Sequence, residues 1–171
     1  TVNKTYVVTD AVALSKAKVK VNKVAWKDVE NLSDDEFAEK VIKSIKINGD
    51  LELGTDYRVT NITNKDTVGN GCLTIEGIED KYVGSKTIAY TITGTAMSKV
   101  KTTKFGKFAY TGDAIKLLDE GVSVYYGNEE EGLLAEGTQF DVEYVKNINK
   151  GTATMILRGR PEEGFTGVKK V

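Results

Sequence analysis

The chain has 171 residues and no histidine. Histidine is the commonest general base and the commonest metal ligand, and it activates the serine or cysteine of many nucleophilic enzymes. The sequence also lacks a phosphate-binding glycine loop, a nucleophile elbow and zinc-ligand spacing. We therefore expect a protein that is not an enzyme, with no catalytic residues, no cofactor and no metal.

Cysteine and proline each occur once. Cys72 has no partner for an intrachain disulfide, and we expect it to be a small buried side chain on a strand. The lack of a disulfide argues against a eukaryotic secreted domain and is compatible with a bacterial surface protein. One proline beside 17 glycines and 40% hydrophobic residues also argues against a disordered linker.

The chain has no excess of positive charge, because 24 Lys and Arg residues oppose 25 Asp and Glu residues. Nucleic acids and anionic lipids are recognised by basic fields, so neither is an expected partner. No apolar run approaches the roughly 20 residues that cross a bilayer, and Thr1 begins no signal peptide. We expect no membrane insertion, and either a cytosolic protein or one whose targeting segment lies outside this sequence.

The sequence contains a repeat with a period of 83 residues. Gly-Thr-Asp-Tyr at positions 54–57 recurs as Gly-Thr-Gln-Phe at positions 137–140 (137 − 54 = 83). Leu-Ser-Lys at 14–16 recurs as Met-Ser-Lys at 97–99, and Tyr-Val-Gly at 82–84 as Phe-Thr-Gly at 165–167. The glycines and the two aromatics of the repeat are predicted to be structural: Gly54, Tyr57, Gly69, Gly77 and Gly84 in the first unit, and Gly137, Phe140, Gly151, Gly159 and Gly167 in the second.

The repeat predicts two domains, residues 1–95 with an N-terminal extension at 1–13, and residues 96–171. The small residues at 94–96 are predicted to link them. Tyr57 and Phe140 should turn inward, whereas Asp56 and its counterpart Gln139 differ in charge and should face solvent. By the 83-residue register the last strand of the first unit would continue into positions 172–175. We therefore expect a fragment of a longer array whose final strand is short and leaves an unpaired edge.

Local patterns predict the elements. Strands are expected at positions 5–8, 14–26, 69–77, 86–92 and 121–126, with Ala17, Val19 and Val21 forming the apolar face of the second of them. One short helix is expected at about 33–45, where Ser33 and Glu36 form a capping box. The Asn-Gly pair at 48–49 predicts a tight hairpin turn.

The ordered motifs resemble the tandem Ig-like repeats of large surface proteins in Gram-positive bacteria. The resemblance is carried by Leu-Ser-Lys-Ala-Lys-Val at 14–19, Tyr-Thr-Gly-Asp-Ala-Ile-Lys at 110–116, the Gly-Thr motif at 54–57 and the glycine-bounded strand at 151–159. It implies all-β architecture: two tandem Ig-like β-sandwich domains, the first with the inserted helix. It further implies a wall-attached or secreted stalk without catalytic residues.

Two functions follow from these observations. The first is a non-catalytic structural or adhesive module of a bacterial surface or secreted multi-repeat protein, with adjacent repeats, a glycan or a host matrix protein as partners. The alternative is a carbohydrate-binding accessory module of a larger extracellular enzyme, with Trp26, Tyr125 and Tyr126 stacking on sugar rings and Tyr144 behind them.

The charged residues allow two further interpretations, a glycosidase site and an isopeptide bond. The acidic runs at 34–36 and 129–131 are contiguous, and are better explained by a helix start and a solvated loop than by the facing carboxylates of a glycosidase. A Lys–Asn or Lys–Asp isopeptide bond remains open, because the chain has many lysines and no disulfide, and the spacing selects no pair.

Overall fold

The computed structural model describes residues 11–78 and 81–171. Within these ranges the fold is all-β, with short helical segments between strands. The chain divides into two compact units, Thr1–Thr93 and Gly94–Val171, at the small residues where the sequence places a boundary. The strand predicted at positions 5–8 lies outside the described residues. No helix in the described ranges has the length and apolar composition needed to cross a bilayer.

The first unit is built on one four-stranded sheet and two strand pairs. Its strands, as far as they are described, are β1 (Val12–Ala13), β2 (Lys18–Val21), β3 (Val24–Ala25), β4 (Ile42–Lys46), β5 (Tyr57–Thr63), β6 (Gly69–Gly77), β7 (Tyr82–Val83) and β8 (Ser85–Thr93). The sheet order is β3-β8-β6-β5, with β3 parallel to β8 and the other neighbours antiparallel. β2 pairs antiparallel with β4, and β1 pairs parallel with β7.

The predicted helix is present but shorter than expected. Two helices are described, α1 (Trp26–Val29) and α2 (Asp34–Val41). The capping box that starts α2 is confirmed, since the Ser33 hydroxyl accepts from the Glu36 N–H and the Glu36 carboxylate accepts from the Ser33 N–H. The extension to residue 45 is wrong, because Ile42–Lys46 pairs with β2 as a strand. Ile45 is buried and belongs to β4.

The continuous strand predicted at 14–26 is also wrong in extent. Leu14–Lys16 form a 3₁₀ turn, β2 and β3 are separate, and Trp26 begins α1. Of the expected apolar face, Ala17 is buried, Val19 is half-buried and Val21 is exposed. A single edge strand with a bulge near Val21 cannot hold a regular alternation against one core.

The second unit repeats part of this plan with shorter strands. They are β9 (Thr95–Ala96), β10 (Lys101–Thr102), β11 (Val124–Tyr125), β12 (Leu133–Leu134), β13 (Phe140–Val145), β14 (Thr154–Gly159), β15 (Phe165–Thr166) and β16 (Val168–Lys170). Two antiparallel sheets have the orders β10-β11-β12 and β13-β14-β16, and β9 pairs parallel with β15. The predicted strand at 121–126 is reduced to two residues, and the predicted linker at 94–96 contains β9.

Each unit has its own core. In the first, α2 packs Phe37 against Tyr90 of β8, and sixteen buried hydrophobic residues form one cluster. The second cluster holds six buried residues: Met97, Val100, Val124, Phe140, Met155 and Leu157. Because burial of apolar surface is the main favourable contribution to folding, the first unit has the larger source of stability.

Cys72 does not lie in the core. It is exposed on β6, between the buried residues Gly71 and Leu73. Successive side chains of a strand point to opposite faces, so burial of Leu73 and Ile75 places Cys72 outside. The expectation of a buried cysteine is therefore wrong.

We expect Ser33→Ala to lower the free energy of unfolding by about 1 kcal/mol, because it removes the hydroxyl that accepts from the Glu36 N–H. Urea titration followed by circular dichroism measures the change. Ser44→Ala, a β4 substitution, is the control for a nearby loss of a hydroxyl. A variant Ser33→Asp should keep most of the stability, and equal destabilisation by Ala and Asp would contradict the capping role.

Candidate functional site

The repeated Gly-Thr motif forms the same turn in both units. Gly54 N–H donates to the carbonyl of Tyr57 and Gly137 N–H to that of Phe140, each at 2.8 Å. Both glycines have a positive φ, of 80° and 77°, which a glycine adopts at low cost. The aromatic that follows is buried in each case. The motif is a strand entry with an inward aromatic, as the sequence predicted.

The third position of the motif closes that turn. The carboxylate of Asp56 accepts from Glu52 N–H at 3.0 Å, and the side-chain carbonyl of Gln139 accepts from Ala135 N–H at 2.9 Å. Asp56 is buried, so the expectation that it faces solvent is wrong. The charge at this position can differ between the units because a carboxylate oxygen and an amide oxygen accept the same hydrogen bond.

The environment of Asp56 favours its ionised form. The backbone N–H of Glu52 lowers the pKa of this carboxyl below 3.8, burial opposes that shift, and the ammonium of Lys81 at 3.0 Å adds to it. The Lys81 side chain is itself largely exposed. Asp56 therefore has a structural role: its ionised carboxylate is a hydrogen-bond acceptor that stabilises the turn.

Stability should fall at acid pH through this group. A folded pKa below the unfolded one means that Asp56 stabilises the fold above the unfolded value, and that this contribution is lost as the pH drops through the folded value. We expect the urea midpoint of the first unit to decrease from about pH 5 downward. Asp56→Asn keeps an acceptor for Glu52 N–H and should show a weaker pH dependence.

Tryptophan fluorescence follows that transition, because Trp26 is the single tryptophan and lies in the first unit. The control is Asp50→Asn, which alters an exposed carboxylate paired with Lys46. If Asp56→Asn and the parent chain have the same pH dependence, the carboxylate does not stabilise the turn.

Two further glycines of the repeat are required by close packing. A Cβ at Gly77 would collide with the backbone of Tyr82, and one at Gly159 with the backbone of Phe165. β7 and β15 therefore pack directly against the C-terminal residues of β6 and β14. The glycines of the repeat are thus structural, although for two different reasons.

We expect Gly77→Ala and Gly159→Ala each to lower the free energy of unfolding by roughly 1 to 3 kcal/mol, since the backbone has to move to admit a methyl group. Chemical denaturation measures both. Gly106→Ala is the matched control, because no atom lies within 4 Å of a Cβ at that position. Destabilisation by Gly106→Ala equal to that of the other two variants would contradict the packing argument.

The three predicted sugar-stacking residues lie in different settings. Trp26, in the first unit, is half-buried, and its indole N–H donates to the carbonyl of Asp66 at 3.3 Å. In the second unit Tyr125 is half-buried on β11 and Tyr126 is exposed. Because Tyr125 is half-buried and lies in β11 whereas Tyr126 follows the strand, the two tyrosines do not form one exposed stacking surface.

A cleft lies in the second unit. It has a volume of about 510 Å³. Phe105, Phe108 and Tyr110 line it from a segment without regular structure, and Tyr144 and Met155 line it from β13 and β14. The three aromatics of the segment are between 39% and 56% exposed. A protein that leaves several large apolar side chains along one cleft commonly uses them to bind a partner.

Hydrogen bonds hold the cleft in shape. Ile115 N–H donates to the carbonyl of Asn147, and the Asn147 side chain donates back to the carbonyl of Ile115. The Tyr144 hydroxyl accepts from Leu118 N–H at 3.1 Å, and burial raises the pKa of this tyrosine. The end of β13 and the loop at 146–153 are thereby joined to the segment at 115–118.

The charged side chains that line the cleft are positive. Lys107, Lys146 and Lys150 line it, and no aspartate or glutamate occurs among the described residues that line it. Lys150 lies over the ring of Tyr110 at 5.3 Å from its centre, a cation–π contact. The cleft thus combines aromatic surface with positive charge.

Sequence reasoning found Tyr144 but not the other aromatics of this cleft. The signal is Lys-Phe-Gly-Lys-Phe-Ala-Tyr at 104–110, where three aromatics occur at spacings of three and two. A single strand cannot place all three on one face, so the segment exposes some of them.

Comparison with protein-family models, with curated proteins and with solved structures finds no match to this chain. Functional inference therefore depends on the geometry of its own residues. Among the described residues no group of three or more side chains could hold a metal ion. Every described lysine–carboxylate pair has at least one side chain more than half exposed, and none singles out an isopeptide bond.

Proposed function

We propose that this chain is a non-catalytic structural and adhesive module from a bacterial surface or secreted protein with several repeats. In this proposal each unit is an Ig-like β-sandwich, and the two units are consecutive members of a wall-attached or secreted stalk. Adjacent repeats are its first partners, and a glycan or a host matrix protein is its ligand.

The observation that carries the proposal is a network of turns and strand pairs that recurs 82 or 83 residues later in the chain. β1 pairs with β7 at Val12 and Tyr82, and β9 pairs with β15 at Thr95 and Phe165, in the same parallel register. Gly77 N–H donates to Gly84, and Gly159 N–H to Gly167, in both cases to the carbonyl. Units that conserve their framework and vary their surfaces suit a spacer that displays binding sites.

The state of the titratable groups supports a non-catalytic role. Glu36 and Asp56 have lowered pKa values because they accept backbone and side-chain hydrogen bonds of a helix start and a turn. Burial raises the pKa of Tyr90 to about 12, and its hydroxyl donates to the carbonyl of Thr63. Each of these shifts accompanies a hydrogen bond that holds the fold, whereas a catalytic acid or base is tuned toward its working pH.

The carbohydrate-binding alternative requires two or three exposed aromatic rings on one surface. Tyr126 alone of the three predicted residues is more than a third exposed. Carbohydrate binding through those three residues is therefore less well supported than the structural and adhesive role.

The experiment is a binding and turnover panel with the whole chain. Immobilised chain is exposed to matrix proteins and soluble polysaccharides, and the same mixtures are analysed for cleaved products by mass spectrometry. We expect retention of at least one class and no cleavage. Turnover of any glycoside or peptide would overturn the non-catalytic proposal, and failure to retain any of them would remove the adhesive role.

A further inference from the structure

The outward face of the β2–β4 pair in the first unit is formed by lysines. The two strands are antiparallel, with Lys18 directly opposite Lys46 and Lys20 two residues further along β2. All three lysines are exposed. Val19 and Ile45, which alternate with them along the strands, pack into the core of the unit. We call Lys18, Lys20 and Lys46 the lysine face.

The positive charge continues into the residues that flank this face. Positions 14–23 contain four lysines and positions 40–46 contain three, and neither segment has an aspartate or a glutamate. The four lysines outside the face are exposed as well: Lys16, Lys23, Lys40 and Lys43. In the part of the chain that the structure describes, Lys46 alone of the seven has a carboxylate partner, Asp50 at 2.9 Å. A chain with a net charge of −1 thus has a strongly basic surface on one strand pair.

Lys18 and Lys46 repel each other across the strand pair. Like charges at directly opposite positions destabilise a sheet, whereas opposite charges there stabilise it. On β5 and β6 the protein has the favourable arrangement, since Arg58 lies opposite Glu76 and 2.8 Å from its carboxylate. A lysine on one of the two strands would be enough to prevent pairing with other sheets. The repulsion is a cost to the fold, and such costs are typical of functional sites.

The second unit keeps the strand pair without the lysine face. There Lys101 lies opposite Tyr125, so an aromatic takes the place of the second lysine. Lys101 and Thr103 are the residues 83 positions after Lys18 and Lys20. Of the three lysines of the face, one therefore has a lysine as its counterpart. The face belongs to the variable surface of the first unit, and the shared framework does not require it.

We propose that the lysine face binds a sulfated polysaccharide, which lies along β2 and β4 with successive sulfate groups against the ammonium groups. Such a ligand is one of the glycans of the proposed adhesive role, on which this inference rests. Binding releases the counterions that surround the separate charged partners, and charge complementarity also speeds their association.

The layout of the lysines favours a polymer with repeated charges over a single small anion. Neighbouring lysines on one strand are about 7 Å apart, and the facing strand lies about 5 Å away. The ammonium groups therefore form an open row on a flat surface. A ligand with charges at intervals along its length can contact several of them at once.

The residues that are missing from this surface indicate which polyanion it suits. Positions 14–23 and 40–46 contain no aromatic residue and no arginine. Proteins that bind single-stranded nucleic acids stack the bases on aromatic side chains. Arginine binds carboxylates and phosphates through two parallel hydrogen bonds, whereas lysine acts as a compact point charge. Charge density therefore selects the ligand, and sulfate groups along a polysaccharide provide it.

The test measures binding of heparin, a sulfated polysaccharide, to the whole chain by isothermal titration calorimetry. We expect saturable binding that weakens as sodium chloride is added, because salt reduces the gain from counterion release. Hyaluronan, which has carboxylates and no sulfate groups, should bind about tenfold more weakly or worse because its charge density is lower. A double-stranded DNA oligomer is the third ligand and should also bind more weakly than heparin.

Two double variants with the same net charge locate the site. Lys18→Gln with Lys20→Gln removes two lysines of the face and should weaken heparin binding about tenfold or more. Lys99→Gln with Lys101→Gln is the matched control, because it removes two exposed lysines from the corresponding segment of the second unit. We expect the control to bind heparin as the parent chain does.

A charge reversal separates binding from stability. Lys18→Glu places an opposite charge across from Lys46, so the urea midpoint of the first unit, followed by Trp26 fluorescence, should rise. The same variant should lose heparin binding. Because the variant is expected to be the more stable protein, this loss cannot result from unfolding.

Three outcomes would overturn the proposal. In the first, heparin does not bind, or both double variants bind it equally. In the second, hyaluronan binds as tightly as heparin. In the third, the DNA oligomer binds more tightly than heparin, which would make the face a nucleic-acid surface. If heparin fails but a matrix protein or a neutral polysaccharide is retained, the lysine face has no such role and the surface-module proposal stands. Cleavage of a glycan would overturn the non-catalytic proposal and leave binding at the lysine face intact.

Discussion

Tyr57→Ala and Phe140→Ala should each lower the free energy of unfolding of their unit by about 3 to 5 kcal/mol. The two side chains are 6% and 1% exposed, and each starts a strand of its unit, β5 or β13. Each lies opposite a glycine of the central strand, Gly77 or Gly159. Truncation to alanine would remove most of the buried apolar surface and leave a cavity at the entrance of the sheet.

Urea titration measures both variants. The transition of the first unit is followed by the fluorescence of Trp26, and circular dichroism follows the whole chain. Thr55→Ala and Thr138→Ala are the matched controls, because these exposed neighbours take part in the turn through their backbone N–H groups. Urea midpoints of both aromatic variants equal to that of the parent would show that the motif is not a core anchor.

Phe37→Ala should have an effect of similar size, about 3 to 5 kcal/mol, on the first unit. Phe37 is fully buried on α2, and its ring meets that of Tyr90 edge to face, with centres 5.1 Å apart. Such aromatic pairs contribute about 0.5 to 1.5 kcal/mol beyond the area that they bury. The substitution removes this contact and the main anchor of α2.

The control for this pair is Tyr90→Phe, which keeps the second ring and removes the hydroxyl that donates to the carbonyl of Thr63 at 2.6 Å. We expect a loss of about 1 kcal/mol for the hydrogen bond. Measurement by urea titration with Trp26 fluorescence distinguishes the two. If Phe37→Ala costs no more than Tyr90→Phe, α2 is a peripheral insertion and does not organise the core.

Features that depend on neighbouring residues were predictable from the sequence. Ser33 and Glu36 are three positions apart, and their reciprocal hydrogen bonds need only the helix that they start. The alternation along β8 buried Ile88, Tyr90 and Ile92 as expected, because a period of two selects one face of a sheet. The Asn-Gly turn at 48–49 lies between the bridged residues Lys46 and Asp50.

Some features of the fold could not be predicted from the sequence, mainly those that depend on residues far away in the chain. α2 ends at Val41 because the next residues pair with β2, and no local pattern at 42–45 indicates that strand. Two errors were local. The carboxylate of Asp56 accepts from a backbone N–H only four residues earlier, and its difference in charge from Gln139 wrongly indicated an exposed position. The alternation with Leu73 and Ile75 places Cys72 on the outer face of β6, whereas the usual burial of free cysteine indicated the core.

By itself the sequence determined the 83-residue repeat, the all-β class, the turns and the inward aromatics, since these follow from local chemistry and from comparing the chain with itself. Only the tertiary structure decided which segments come together to line the cleft. It placed Phe105, Phe108 and Tyr110 in the same cleft as the exposed positions 151–153, which lie about 40 residues later in the chain. Contacts between segments so far apart depend on the folding of the whole unit, and no local sequence pattern indicates them.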